Sequence, residues 1–410
     1  MVADDLRIKL NTLGTLFAIK RNNLGKMSPS RRVAVITPFD KRKYSNSSQL
    51  FPNLFYPPAR KWDYYHRCLT AYFRVDYFDI DHLAGKTPAG YDYVFVHELL
   101  CDVYPYDYLD VLHRLKKSNG KVAWVELHEK TLYSWGMFEK GFFEVVDLVL
   151  KHQLVDFTFL KDALSRPDTC TLAPYRLFGC NSIVEYYSDK RLFSFRFSET
   201  IFEKHLQFDF EASGDRILPI MFPFSPQYID RVKMRDVDSS YIEEGDRTYF
   251  VSYAGRDRSS PAHAQRFVVA DALNKALGGR LHYLDDYRHA LQSSSYFLSL
   301  GHIHSSLRTF DNLLVDTGMI HYDLHPYRMF LDLREFVNYV PIGNPHRIFP
   351  NADAEADLSY LQEIVDRAAE HLVRDGFLPQ LLVNQKRLLE QIIDPEFILS
   401  RIGVEVNGPD

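Results

Sequence analysis

The chain has 410 residues, 46% of them hydrophobic and 25% charged, and a formal net charge of −5. This is ordinary globular usage at a length that predicts two or more domains, and the charge total excludes a general polyanion-binding surface while leaving room for a local basic groove. No run of about 18 apolar residues occurs, so no membrane-spanning helix is expected. Residues 13–19 form too short an apolar stretch for a secretory signal. The four cysteines, Cys68, Cys101, Cys170 and Cys180, lack zinc-ligand spacing and read as reduced thiols of a cytoplasmic protein.

In residues 1–31, Leu6, Leu10, Leu13 and Phe17 follow helical spacing among Lys9, Lys20, Arg21 and Lys26. The expected amphipathic helix packs on the body of the protein or on a second subunit, with an anionic membrane surface as the alternative. Residues 32–190 are expected to form a first α/β domain. Strands fall at 32–38, 75–80, 93–96, 122–125 and 148–150, and helices at 63–73, 107–117 and around 142–146. Residues 191–244, interrupted by Pro219, Pro223 and Pro226, read as a connecting segment. A second α/β domain spans 245–380, with strands at 249–253, 281–284, 295–300 and 319–322 and a helix at 264–277. Residues 381–410 are expected to be a C-terminal helix crossing back to the first domain. Two separate runs of alternating strands and helices predict two Rossmann-like sheets.

The densest polar chemistry lies where the strand at 295–300 ends. Gly301, His302, Ile303, His304, Ser305 and Ser306 form a loop. A helix is expected next, with Leu307, Phe310, Leu313 and Leu314 on its buried face. Gly318 reads as its C-cap, where positive φ is wanted. A helix N-terminus at the carboxyl end of a parallel strand suits an anion. Arg308 can clamp phosphate through two hydrogen bonds, and Asp311, about one turn on, can accept from ribose hydroxyls. Arg256 and Arg258 occupy the loop after the strand at 249–253. A nucleotide diphosphate is the ligand this arrangement suits.

Over residues 245–345 the pattern resembles the donor-binding half of the GT-B class of nucleotide-sugar glycosyltransferases, in which two Rossmann-like domains face each other across a cleft. The resemblance implies that Ser305 and Ser306 match the phosphate loop, Arg308 a basic position and Asp311 the acidic ribose position, where the class more often has Glu. It further implies that Arg256 or Arg258 neutralises the leaving diphosphate, with His302 and His304 hydrogen-bonding to phosphate or sugar. The donor is then a UDP- or GDP-sugar and no metal or other cofactor is required. The acceptor class stays open among a glycan, a lipid-linked sugar and a modified base in nucleic acid.

On the first domain, carboxyl strand ends carry Asp40, His97, Glu98, Glu126, His128 and His152. An acceptor hydroxyl needs a general base, and Glu98, His128 and Asp40 are the candidates. Lys41, Arg42 and Lys43, near Tyr44, Tyr56, Arg60, Lys61 and Trp62, could meet a phosphate-bearing acceptor. Two other readings stand beside this one. One is a sugar-nucleotide-binding or scaffold protein without the chemistry. The other is a metal-dependent transferase using the Asp-x-Asp of Asp79 and Asp81. The chain has no Gly-x-x-x-x-Gly-Lys or Gly-x-Gly-x-x-Gly phosphate motif.

Overall fold

Val33, Ala34, Val35 and Ile36 follow one another without a polar break and all four are buried, the mark of a parallel strand covered on both faces. The computed structural model describes residues 31–39, 64–83, 87–126, 134–152, 154, 156–158, 207–220, 247–255, 261–300, 310–324, 328–329, 331–349 and 356–406. The chain divides into two units. The first takes Met1–His152, Ser194–Ile220 and Asp394–Asp410, the second Gln153–Phe193 and Met221–Ile393. The helix expected near the N-terminus lies outside the described residues.

In the first unit the strands are β1 (Arg32–Thr37), β2 (Arg74–Asp79), β3 (Tyr93–His97), β4 (Lys121–Glu126), β5 (Leu148–His152) and β6 (Ile217–Ile220). They pair in parallel in the order β2-β1-β3-β4-β5-β6. Between them come α1 (Tyr64–Thr70), α2 (Leu100–Val103), α3 (Tyr108–Ser118) and α4 (Phe142–Val145). Helix α3 buries Tyr108, Val111, Leu112 and Leu115, spaced by three, one and three. It ends at Asn119, whose Nδ2 donates to the Leu115 carbonyl at 2.8 Å and whose Oδ1 accepts from the Tyr91 N–H. Strand β6 falls inside the segment read from sequence as a connector. Its Pro219 is tolerated because, among the described residues, β6 is an edge strand, with no ladder to complete on one side.

The second unit contains β7 (Tyr249–Tyr253), α5 (Pro261–Ala276), β8 (Leu281–Tyr283), α6 (Tyr287–Gln292), β9 (Ser294–Ser299), β10 (Gly318–His321) and β11 (Val340–Pro341). Helices α7 (Pro345–Ile348), α8 (Leu358–Leu372) and α9 (Phe377–Ile393) follow. The sheet is parallel in the order β11-β10-β9-β7-β8. Its core joins Val251, Leu298, Ile320 and Val340 to Leu273 of α5, Val365 of α8 and Leu381 of α9. Both units are therefore Rossmann-like α/β sheets in which the second strand lies outside the first, and the chain then jumps back to place the third on the other side.

The last helix, α10 (Pro395–Arg401), belongs to the first unit and packs on α1. Asp394 caps it and Pro395 opens it, so the helical path of α9 breaks there. Beyond it, Arg31 donates to the Glu405 and Val406 carbonyls, Lys121 pairs with the Glu405 carboxylate at 2.7 Å, and the Glu405 N–H donates to Tyr93. This fastens the segment to the amino edge of the first sheet. No helix among the described residues is long and apolar enough to cross a membrane.

Two local expectations change. The described part of the helix expected after residue 307 is a 3₁₀ turn, Asp311–Leu314, in which all four residues are buried. A wholly buried run has no solvent-facing side, so its spacing cannot separate one helical type from another. Gly318 is the first residue of β10 and is not among the glycines with positive φ. It is needed for room, since a Cβ there would lie 2.5 Å from the Tyr296 ring and 3.1 Å from Leu378. Gly318→Ala should therefore lower the urea midpoint at unchanged m, with overpacking costing about 1–3 kcal/mol. An unmoved midpoint would show that this contact does not constrain the sheet.

Candidate functional site

In an open parallel sheet, ligands bind outside the carboxyl ends where the strand order reverses. In the second unit that point lies between β7 and β9, with β8 beyond β7. Residues 256–260 and 301–309, which leave these strands, are outside the described set, and with them Arg256, Arg258, His302, His304, Ser305, Ser306 and Arg308. Tyr253 and Tyr283 are register partners at the ends of β7 and β8. Phe267 of α5 stacks on Tyr283 at 5.7 Å and 23°, and Tyr253 stands nearly perpendicular to both rings. The Tyr283 hydroxyl donates to Asp271, which fixes the ring's edge. Tyr253 is buried, and burial raises the pKa of its phenol. Tyr283, by contrast, is 37% exposed. An aromatic ring held this firmly beside a reversal point can stack on a planar group. Sequence reading passed over Tyr283, because its support comes from a helix face that only folding brings to the strand end.

Asp311 is fully buried and accepts the Tyr287 hydroxyl at 3.0 Å on Oδ2, while Tyr287 packs edge-on against Phe297. Its neighbour Asn312 closes the turn by donating to the Thr317 carbonyl. At the end of β10, His321 is also fully buried. Its Nδ1 lies 3.0 Å from the Tyr322 carbonyl, which can only accept, so the proton is assigned to Nδ1 and the lone pair to Nε2.

The first unit gathers titratable groups on adjacent strand ends. Glu98 directly follows β3 and is buried, its N–H donating to the Val125 carbonyl of β4. The Cys101 thiol donates to the Glu98 carbonyl at 3.0 Å. Glu126, the last residue of β4, accepts on Oε1 from Trp124 Nε1 and from the N–H and hydroxyl of Ser134. Its Oε2 lies 3.5 Å from Lys151 Nζ, and both side chains are 1% exposed. His97 accepts the Leu99 N–H on Nδ1, which leaves the ring proton of its neutral form on Nε2. His152 is buried beside Lys151 in sequence. Asp40 and His128 lie outside the described residues, as do Lys41–Lys43 and the aromatic and basic residues near them. Lys151 was not singled out from sequence. The available signal was a lysine directly after the apolar run Leu148, Val149 and Leu150, on the strand next to one that ends in glutamate.

Asp79 caps the short 3₁₀ turn Ile80–His82. Its carboxylate accepts from the Asp81 and Phe39 N–H groups and lies 3.4 Å from His82. Among the described residues, no three His, Cys, Asp or Glu side chains gather as a metal ion requires.

No protein-family model matches the chain, and no curated protein matches its sequence. Among solved structures, the crystal structure of T4 phage BGT in complex with its UDP-glucose substrate aligns over 91% of this chain and 100% of that one. The identity is 10% and the TM-score 0.32, a likeness too slight to define a class.

Burial lowers the pKa of His321 from 6.5 to about 4, partly offset by its bond to the Tyr322 carbonyl. The unfolded chain thus binds a proton that the folded protein refuses. The full contribution is present above about pH 6.5 and is lost as pH falls toward 4, about 3 kcal/mol in all. His321→Asn keeps an N–H donor but cannot titrate. It should flatten the decline of Tm with acid over that window, and a parallel decline in both proteins would discount His321 as its source.

Proposed function

We propose that the protein is a glycosyltransferase that moves a sugar from a UDP- or GDP-sugar to an acceptor hydroxyl, and that it needs no metal. One observation carries this reading. The β7/β9 reversal point has the anchored ring of Tyr283 beside it, and the segments that leave β7 and β9 there hold Arg256, Arg258 and Arg308. An aromatic ring at the strand end would suit a planar base, and arginines in the segments that follow in sequence would suit a polyanion, the two ends of a nucleotide diphosphate. With no Gly-rich phosphate loop in the chain, diphosphate recognition falls to the arginines, aided by Ser305, Ser306, His302 and His304.

Sugar transfer leaves negative charge on the departing diphosphate, and fixed cations that meet this charge lower the barrier. Asp311 is assigned to the ribose. Its carboxylate would exchange the Tyr287 hydroxyl for ribose hydroxyls, replacing one O–H donor by another. On the acceptor side, Glu98 is the preferred base, with His128 and Asp40 as alternates.

Nucleotide sugars at about one hundred times their dissociation constant should add about 2.7 kcal/mol to stability, read as a rise in Tm. Among a panel, a UDP- or GDP-sugar should give the shift, and its absence with every member would overturn the reading. Tyr283→Ala should weaken the responding donor about tenfold, since stacking on a base is worth about 1–3 kcal/mol. Donor binding without sugar transfer or donor hydrolysis would instead favour a binding protein of the same fold.

A further inference from the structure

We infer that Tyr253 is a binding residue of the donor site, its hydroxyl donating a hydrogen bond to a phosphate oxygen of the nucleotide diphosphate. The identity of the ligand rests on the proposed function, whereas the availability of the hydroxyl stands on the second unit alone.

A buried phenol ordinarily finds a hydrogen-bond partner inside the protein. Tyr296 and Tyr339 do so, the first donating to the Leu372 carbonyl and the second accepting the Leu324 N–H. Tyr253, the last residue of β7, does not. It is 5% exposed, its backbone carbonyl accepts the Leu284 N–H, and among the described residues no group hydrogen-bonds to its hydroxyl. Nor is that oxygen among the polar atoms sealed without a partner in the interior, so it stays open to a ligand at the strand end.

Neighbouring rings fix where the hydroxyl lies. Phe267 meets the Tyr253 ring edge-on at 5.5 Å and Tyr283 at 6.2 Å, with interplanar angles of 85° and 87°. Gly255 passes against the hydroxyl end of the same ring. A Cβ there would lie 2.4 Å from Tyr253 Cε1 and 2.9 Å from its hydroxyl oxygen, and Gly255 is not among the glycines with positive φ, so glycine is required for space. Arg256 is the next residue, with Arg258 two further on. The hydroxyl thus lies against the backbone from which the arginine segment leaves β7, while the exposed ring of Tyr283 is the one assigned to the base.

The chemistry of the group suits an anion. Burial raises the pKa of the phenol, with the Arg266 charge partly opposing it, so the oxygen keeps its proton at neutral pH and acts as a donor. An O–H that meets a phosphate oxygen makes a charge-assisted hydrogen bond, roughly twice as strong as a neutral one. Because the ring is already held, little freedom is lost when the ligand arrives.

The test is Tyr253→Phe in the full chain, which keeps the ring and its contacts with Phe267, Tyr283 and Gly255 and removes only the O–H. Without ligand, its Tm should be unchanged or higher, since the hydroxyl has no protein partner to lose. The dissociation constant of whichever of UDP and GDP binds, measured by calorimetry, should rise about tenfold, and that of inorganic pyrophosphate likewise. Uridine or guanosine, which carry no phosphate, should bind as before. Unchanged constants for the diphosphates overturn the inference, whether or not Tm moves. An equal loss for the nucleoside also overturns it, because the hydroxyl would then meet the base or ribose. An unsubstituted protein that binds pyrophosphate but neither nucleotide would sink the functional reading, while the pyrophosphate constants would still decide the role of Tyr253. Binding of none of these probes would overturn both.

Discussion

Parallel pairing is the constraint on which the rest of this protein depends. Neighbouring parallel strands cannot be joined by a tight turn, so each pair needs a crossover, and the crossovers cover both faces of the sheet. Polar side chains are thereby pushed to strand ends. In the first unit, Thr37, His97, Glu98, Glu126, Lys151 and His152 all occupy such positions, and in the second Tyr253, Tyr283, Ser299 and His321 do the same. The carboxyl edges carry the chemistry because the strands' middles cannot.

Apart from Tyr283, those strand-end groups are buried all the same, and partner geometry decides what each can do. Ser252 and Thr317 donate to backbone carbonyls and act as internal ties. Asp311 is held by the Tyr287 phenol. Glu126 accepts three hydrogen bonds on one oxygen and pairs with Lys151 through the other, so both ends of its carboxylate are tied to the protein.

The C-terminal segment follows the same economy of ends. Asp394 and Pro395 stop one helix and start another, and the following residues tie to the amino edge of the first sheet, opposite the edge that gathers Glu98, Glu126 and Lys151. Backbone carbonyls and the Glu405 carboxylate meet Arg31 and Lys121 there, so the amino edge is closed by the chain itself.

The sequence by itself determined the two runs of parallel strands, because β1, β3, β4, β7 and β9 are each short, apolar runs set between helical patterns, which local periodicity records. It also marked Glu98 as a strand-end carboxylate and Asp311 as an acid near the β9 end. Tertiary structure decided what periodicity does not encode. Strand β6 carries Pro219 at what is, among the described residues, the sheet's edge, and Gly318 is required by the Tyr296 ring rather than by a helix cap. Register alone sets Lys151 against Glu126. Likewise, Tyr283 becomes a platform only once α5 brings Phe267 and Asp271 to the end of β8. Spacing along a chain fixes which face a residue takes, whereas contact across strands depends on register and crossover path, and those are settled only when the whole sheet assembles.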